Sequence, residues 1–373
     1  MKGFWLGKIT IKAILLIITL IMAVAMLIAA WGGVVDPNKS SLMPLATLSM
    51  PVVLIGNAVV ALVWLLMLKW KYALIPLATI AISWSPVSTV CPINLLATDA
   101  NKDSTFSVMS FNVANFGPYD PNNHEPSKSM RYILDQDADF VLLQEGSQER
   151  NYLALSNVEM MREELERKYP YHSDGYRDLM ILSKLPYTVV SDSAFAEAPE
   201  HDGAVYAKAF DIEIGGDKQL RIINIHLHSF GMKEDDKNFY ADLTRRGVNV
   251  NKRSELERIK TSLLSKLVLA FKLHAQEATV VRSLIDSSPD NVIVCGDFND
   301  TPSSHCYRIV AGDDLHDTFQ DCGSGITWTF NDRRMYFKID HIMYRGGMQA
   351  VDWRRDKAGD SDHYPQVATF AWK

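Results

Sequence analysis

The sequence predicts an α+β domain, two packed β-sheets covered by helices, carried behind a block of N-terminal transmembrane helices. Three observations predict it. Uncharged stretches fill residues 1–97. From Thr105 onward, apolar runs of strand length recur many times, against only two or three helical groups, the pattern of packed sheets with helices outside. Six short polar signatures punctuate this region, each placed where an apolar run ends: Ser110-Phe111-Asn112-Val113, Leu143-Gln144-Glu145, Asn224-Ile225-His226-Leu227, Gly296-Asp297-Phe298-Asn299, Ile339-Asp340-His341 and Ser361-Asp362-His363.

The N-terminal block holds three uncharged stretches: Ala13–Trp31 of 19 residues, Leu42–Leu68 of 27 and Tyr72–Thr98 of 27. A helix needs about 20 apolar residues to cross a bilayer. The first stretch meets this directly. In the second, Pro44 and Pro51 place the start of the spanning part near Pro51. The third carries Pro76, Pro86 and Pro92 and either spans or lies on the membrane, so residues 1–98 read as an anchor of two to three helices. Trp31, Trp64, Trp70 and Trp84 sit where interfacial indoles are expected. A second apolar span follows the first directly, which favours a retained anchor over a cleaved signal peptide. Lys2, Lys8 and Lys12 precede the first stretch and Lys69 and Lys71 separate the second from the third. Basic flanks stay cytoplasmic. The expected topology is therefore multi-pass with the domain at 104–373 extracytoplasmic; a third stretch that does not span would return it to the cytoplasm.

Along that domain, Thr105–Asn112 reads as a strand, Gly117–Ser127 as a loop and Lys128–Gln136 as a short helix. Asp139–Glu145 is a strand that stays apolar until Gln144, and Val158–Lys168 is an amphipathic helix. Leu179–Ser183, Tyr187–Phe195, Ala204–Ile214 and Leu220–His228 follow as strands, with a hairpin signal at Gly215-Gly216-Asp217. Ser229–Asn251 reads as polar and irregular, and Lys252–Asp286 as one long helix or two. The strands Asn291–Cys295, Met335–Tyr344 and Gln366–Ala371 complete the pattern, with no internal repeat.

Charge narrows the function. Six of the 38 basic and one of the 44 acidic residues precede Thr98, which leaves 32 against 43 and a formal charge of −11 from Thr98 onward. Non-specific DNA binding draws on Lys and Arg at phosphates, so this charge counts against a bulk nuclease. Cys91, Cys295, Cys306 and Cys322 form no CxxC pair or zinc spacing. Cys306 and Cys322 either bridge in an oxidising compartment or remain free thiols.

The signatures match what phosphoester hydrolysis needs: a divalent cation, a base for water and donors to the transition state. Glu145 follows the apolar run Phe140–Leu143 and should emerge at a strand tip, where a carboxylate suits a hard cation. Asn112 has the same placement. Gly296 permits a tight backbone turn before Asp297 and Asn299, which two-residue spacing can point together. His226 and His228 alternate with Leu227 and would share one face. His363 follows Asp362, and Asp340 can supply the carboxylate that orients a histidine base.

This combination resembles the DNase I-like endonuclease/exonuclease/phosphatase superfamily over roughly Thr105–Lys373. Met180-Ile181-Leu182-Ser183-Lys184-Leu185-Pro186 is similar to a strand of that family. The resemblance implies a four-layer sandwich of two mixed sheets and a Mg²⁺ cofactor, with Mn²⁺ as an alternative. It implies metal-side roles for Asn112, Glu145 and Asp362, phosphoryl contacts for His226, Asp297 and Asn299, and an Asp340–His363 pair that activates water. His341 stands where many members carry Tyr or Arg, and His226 has no clear partner carboxylate. Lys252–Asp286 with the loop before it, and Cys322–Phe330, look similar to bacterial membrane-anchored members. The function expected is a membrane-anchored Mg²⁺-dependent phosphoesterase, with a lipid headgroup or small phosphoester favoured as substrate. An extracytoplasmic endo- or exonuclease acting on nucleic acid and a catalytically silent binding scaffold are the competing readings.

Overall fold

A computed structural model describes residues 2–94, 105–117, 127–146, 159–173, 178–190, 206–215, 218–248 and 252–373. Helix α1 is Lys2–Trp31; with the turn after it, its apolar part runs 24 residues, Ile11–Val34. At about 1.5 Å per residue this exceeds the roughly 30 Å bilayer core. Helices α2 (Leu42–Leu48) and α3 (Met50–Leu66) meet at a 63° bend, just before Pro51. Helices α4 (Trp70–Ile82) and α5 (Trp84–Val90) meet at 77° around Ser83. One helix among the described residues is thus long and apolar enough to cross a membrane, and up to three spans result if each bent pair counts as one.

The N-terminal helices bury several polar groups between them. Trp64 Nε1 donates to Thr19 Oγ1 at 2.8 Å, and Asn57 Nδ2 donates to Met22 O at 3.0 Å. On α3 the opposite face, Val52, Ile55, Val59, Leu62 and Leu66, is exposed. This apolar-out arrangement suits a lipid solvent, with interhelical hydrogen bonds satisfied within the bundle.

The following elements begin with β1 (Thr105–Asn112), α6 (Lys128–Gln136), β2 (Phe140–Gln144) and α7 (Glu159–Lys168). Next come β3 (Tyr171–His172), β4 (Met180–Ser183), β5 (Tyr187–Val189), β6 (Ala207–Glu213) and β7 (Gln219–His226). Helix α8 (Glu234–Arg246) precedes a long rod: α9 (Arg253–Arg258), a π-helical turn (Ile259–Leu264) and α10 (Ser265–Asp286). The chain ends with β8 (Val292–Asp297), α11 (His305–Ala311), β9 (His316–Asp317), α12 (Thr318–Cys322), β10 (Phe330–Asp332), β11 (Met335–Phe337), β12 (Asp340–Arg345), β13 (Met348–Arg355) and β14 (Gln366–Trp372).

Two six-stranded sheets result, in the orders β13-β14-β1-β2-β4-β3 and β5-β6-β7-β8-β12-β9, beside a small β10-β11 hairpin. Each sheet is mixed, with one parallel pair at its centre: β1 with β2, and β7 with β8. Strand alternation sorts the apolar residues into layers. Phe106, Val108, Phe140 and Leu142 meet Phe210, Ile222, Ile293 and Ile342 between the sheets. Met109, Phe111, Val141 and Leu143 face the other way, onto Ile133 of α6 and Leu165 of α7. Ile223, Ile225, Val292 and Val294 pack under Ala278, Val281 and Ile285 of α10. The architecture is the expected four-layer α+β sandwich.

Several local expectations change. Ser229–Asn251 contains helix α8 rather than irregular chain. Glu234, Asp235 and Asp236 open it, Arg245 and Arg246 close it, and Lys233 N donates to Asp236 Oδ2 at 3.0 Å. The run Met335–Tyr344 is two strands, because Lys338 turns inward to His341 Nδ1 at 2.7 Å and Asp317 at 3.6 Å. Strand β13 escapes the pattern because a bulge between Ala350 and Asp352 breaks its alternation. The long helical region is one continuous rod interrupted by the π turn, and β7 ends at His226, so His228 lies beyond it. Residues 191–195, 204–205, Gly216 and Asp217 lie outside the described residues, although β6 and β7 pair antiparallel as a hairpin there requires. All four cysteines are free.

The N-terminal helices and the sandwich share a tight seam. A Cβ added at Gly33 would lie 2.2 Å from Ser303 O, and His305 Nδ1 lies 2.8 Å from Gly33 O. Asn94 Nδ2 donates to Gln320 O and Gly323 O at 2.9 and 2.7 Å, satisfying carbonyls at the end of α12. The loop pressed against the anchor, Thr301–Ser304, follows Asn299 within a few residues.

Candidate active site

The parallel strand pairs at the two sheet centres end on the same rim, and their antiparallel neighbours begin there. Asn112 closes β1, Glu145 follows β2, His226 closes β7 and Asp297 closes β8. Asp340 opens β12 opposite Asp297, its partner in the ladder. His363 comes just before β14. Sheet order and register therefore deliver these side chains to one place.

Their contacts form a chain. Asn112 Nδ2 donates to Glu145 Oε1 at 3.0 Å and Asp297 Oδ2 at 3.1 Å, while Asn112 Oδ1 accepts from Ala114 N at 3.1 Å. His226 Nε2 lies 3.8 Å from Glu145 and 3.9 Å from Asp297, which supplies the carboxylates that the sequence did not reveal. Asn299 N donates to Asp297 Oδ1 at 2.8 Å, and Asn299 Nδ2 donates to Leu227 O at 3.0 Å. His363 Nδ1 lies 3.0 and 3.2 Å from the Asp340 oxygens, and Nε2 faces Asp297 Oδ2 at 3.6 Å. Glu145, His226, Asp297, Asn299, Asp362 and His363 line one cavity; Asn112 and Asp340 stand behind it, buried. The structure thus brings all eight sequence-derived candidates together.

The backbone is strained at two of them. Glu145 and Asn299 have φ of 53° and 49°, a region that non-glycine residues enter rarely and that clusters at functional sites. Gly296 has φ 141°, and a Cβ there would lie 1.9 Å from Ile225 O. Only glycine lets β8 run this close to β7 one residue before Asp297.

Electrostatics follow from burial. Asp297 is 1% exposed. Its desolvation outweighs the opposing pull of His363, with Asp340 adding to the rise, and its pKa is raised to about 6. Burial pulls His363 the other way, but Asp340, Asp297 and Asp362 together raise it to about 10. Desolvation also raises Asp362. The ion-pair partners of Glu145 and Asp297 among the described residues are histidines. Carboxylates facing a cavity, with histidines as the ion-pair partners of Glu145 and Asp297, form a donor set that fits a hard divalent cation. Asp297, Asp340 and His363 also have ligand atoms within 4.8 Å of one another. Because both Asp340 oxygens already engage His363, that trio reads better as an oriented base beside a carboxylate.

Sequence reasoning missed the supports. Gln144 Nε2 donates to Asn224 Oδ1 at 2.6 Å, and Asn224 Nδ2 donates to Leu143 O and Met180 O at 2.9 and 3.0 Å. This buried clamp joins the two sheets directly beneath the rim. The available signal was an amide inside an otherwise apolar strand. Ser361 Oγ donates to Asn112 O at 2.7 Å and accepts from His363 N at 3.0 Å, tying the histidine loop to β1. Thr329 Oγ1 accepts from Ile339 N and Asp340 N, each at 3.0 Å, and the Phe330 ring lies 4.9 Å from the His363 ring. His341, the unusual residue after Asp340, is fully buried and holds Asp300 O at 3.0 Å, so it braces the loop after Asn299. His228 carries no cavity wall; its N donates to Glu277 at 2.9 Å.

A family model described as the Endonuclease/Exonuclease/phosphatase family matches residues 109–363. A second, described as a domain of unknown function, matches residues 12–90. No curated protein matches the chain. Among solved structures, an endonuclease/exonuclease/phosphatase family protein from Bacteroides thetaiotaomicron is 16% identical with a TM-score of 0.43, covering 72% of this chain and 96% of that one. One from Bacteroides vulgatus is 17% identical with a TM-score of 0.43, covering 72% and 100%. D. rerio TDP2 complexed with single strand DNA product is 15% identical with a TM-score of 0.45, covering 72% and 99%.

Proposed function

The chain belongs to the endonuclease/exonuclease/phosphatase family, and on that premise we propose that it is a membrane-anchored, Mg²⁺-dependent phosphoesterase acting on a lipid headgroup or small phosphoester. As a family member it is a hydrolase of phosphate-ester bonds. The observation that carries the finer reading is the convergence of Glu145, His226, Asp297, Asn299, Asp362 and His363 on one cavity.

In this reading Glu145 and Asp362 supply metal-side oxygens, and Asn112 sets the orientation of Glu145 and Asp297 through its two donated hydrogen bonds. The divalent ion, when bound, neutralises charge on the phosphoryl oxygens. Asp340, Asp297 and Asp362 raise His363 to about 10; with positive charge beside Asp297 and Asp362 offsetting their pull, the neutral ring would take the proton from the attacking water at Nε2, while Asp340 on Nδ1 fixes the ring and stabilises its charged form. Asp297 and Asn299 align water and phosphoryl group, and His226 donates to a phosphoryl oxygen.

Residues 1–98 act as the anchor and 104–373 as the catalytic domain. The polarity of the bundle supports a multi-pass anchor with the domain outside the cytoplasm. Lys69, between α3 and α4, and Lys71, in the first turn of α4, lie at the end away from the seam, while Gly33 and Thr89 touch Ser303 and Pro302 of the sandwich. The test is hydrolysis of bis-p-nitrophenyl phosphate by the full chain in detergent. The expected result is turnover with Mg²⁺ that EDTA abolishes and His363→Ala removes. EDTA-resistant turnover equal in wild type and His363→Ala would reject the mechanism.

A further inference from the structure

The catalytic residues occupy only one end of their cavity. The cavity measures about 850 Å³, and much of its wall is apolar: Leu48 and Val52 from the α2–α3 bend, Phe230 and Tyr240, and Leu264 and Leu267 from the π turn and α10. One wall therefore comes from the anchor and the facing one from the sandwich, with α2 packed against α10. The π-helical turn matters here. Ile259, Leu263 and Leu264 of the turn and Leu267 just after it all reach the cavity, and such turns frequently mark functional sites.

The apolar wall continues outward. Val52, 73% exposed, both lines the cavity and begins the bare stripe Ile55, Val59, Leu62 and Leu66 on α3. On the rod, Leu264 likewise both lines the cavity and is exposed. An exposed apolar surface running into a cavity marks an apolar ligand or a membrane. The cationic residues of the wall are Lys237, paired with Asp332 at 2.6 Å, and Arg334. That is a sparse endowment for a nucleic-acid backbone.

We propose that this vestibule is an alkyl-chain site, and that the substrate is a membrane lipid whose phosphoester reaches Glu145 and His363 while its chain lies between the α2–α3 bend and the Ile259–Leu267 rod. The proposal rests on the phosphoesterase reading and adds the substrate class and the route: lateral entry from the leaflet beside α3.

The test uses the full chain in dioleoylphosphatidylcholine vesicles with Mg²⁺ and a homologous series of p-nitrophenyl phosphodiesters bearing methyl, butyl or octyl groups. The reacting bond is constant, so the series reads the chain alone. With several methylenes buried, kcat/KM should rise at least about 50-fold from methyl to octyl. Leu267→Asp and Val52→Asp, on opposite walls, should each cut the octyl-to-methyl ratio about tenfold or more; partition into vesicles is common to all three proteins and cancels in this comparison. As a measurement independent of variant folding, octylphosphonic acid should inhibit wild-type hydrolysis of the methyl diester at least about 20-fold more tightly than methylphosphonic acid. Equal inhibition, or the same ratio in wild type and variants, would overturn the chain site while leaving the phosphoesterase reading intact. Competition by a single-stranded oligonucleotide without any chain-length effect would overturn it in favour of a nucleic-acid substrate. No turnover of the methyl diester would overturn both.

Discussion

The N-terminal helices and the sandwich are built from similar apolar residues turned in opposite directions. In α3, Val52, Ile55, Val59 and Leu62 point out while Asn57 and Trp64 are buried and hydrogen-bonded. In the sandwich, Ile222, Ile293 and Ile342 point in, and the polar groups collect at strand ends. The difference lies in where each region can afford polarity. In lipid every polar group must be satisfied inside the bundle. In a sheet the strand ends reach solvent, so carboxylates and histidines can gather there at small cost to the core. The cavity sits where the two regions meet, with apolar walls on one side and strand-tip chemistry on the other.

The comparison makes its largest claim about the strand tips. Asp297→Ala, His363→Ala and Glu145→Ala should each lower kcat on bis-p-nitrophenyl phosphate by about 10²-fold or more, with the thermal midpoint changed far less than turnover. Ile222→Ala, a core change on the same sheet, should do the reverse and cost about 2–5 kcal/mol of stability. Parallel losses of activity and stability in both sets would erase the division between tip and core.

A smaller effect is expected at the seam. Gly33→Leu places a side chain against Ser303 O, which lies 2.2 Å from the Cβ position. Overpacking of this kind costs about 1–3 kcal/mol. Thermal unfolding of the full chain in detergent should show a lowered midpoint, and turnover should fall because the displaced loop begins just after Asn299. An unchanged midpoint would mean that the anchor and sandwich are not mechanically joined there.

A further effect separates the tips from the core through pH. His363 is held at about 10, above its usual 6.5. A raised pKa contributes stability that is fully present below the unfolded value and lost as pH rises through the folded one. In EDTA, the thermal midpoint should therefore fall between pH 6.5 and about 10, and His363→Gln should flatten that fall. Mg²⁺ should also flatten it, because positive charge beside Asp297 and Asp362 offsets their pull on the ring. Identical pH profiles for wild type and His363→Gln would contradict the assignment.

Much of this was legible in sequence, for physical reasons. Asn112, Glu145 and Asp297 each end an apolar run, and a buried strand followed by one polar residue leaves that residue little choice but the rim. The order of the sheets was not legible, because period-two alternation fixes a strand's faces and not its neighbours. Helix α8 was hidden by its charge: Phe239 and Leu243 are the buried apolar residues on it. Strand β13 was hidden by its bulge. The vestibule was hidden most deeply, since Leu48 and Leu264 become neighbours of one cavity only through the docking of anchor on sandwich. Such a site has no local pattern to read.

The central claim is that separate strand tips assemble one cation site. Calorimetric titration of Mn²⁺ into the full chain in detergent tests it most directly. Wild type should show saturable binding that Glu145→Ala weakens by about 10–100-fold or more, with His363→Ala largely retaining it. Binding in Glu145→Ala indistinguishable from wild type would contradict the account.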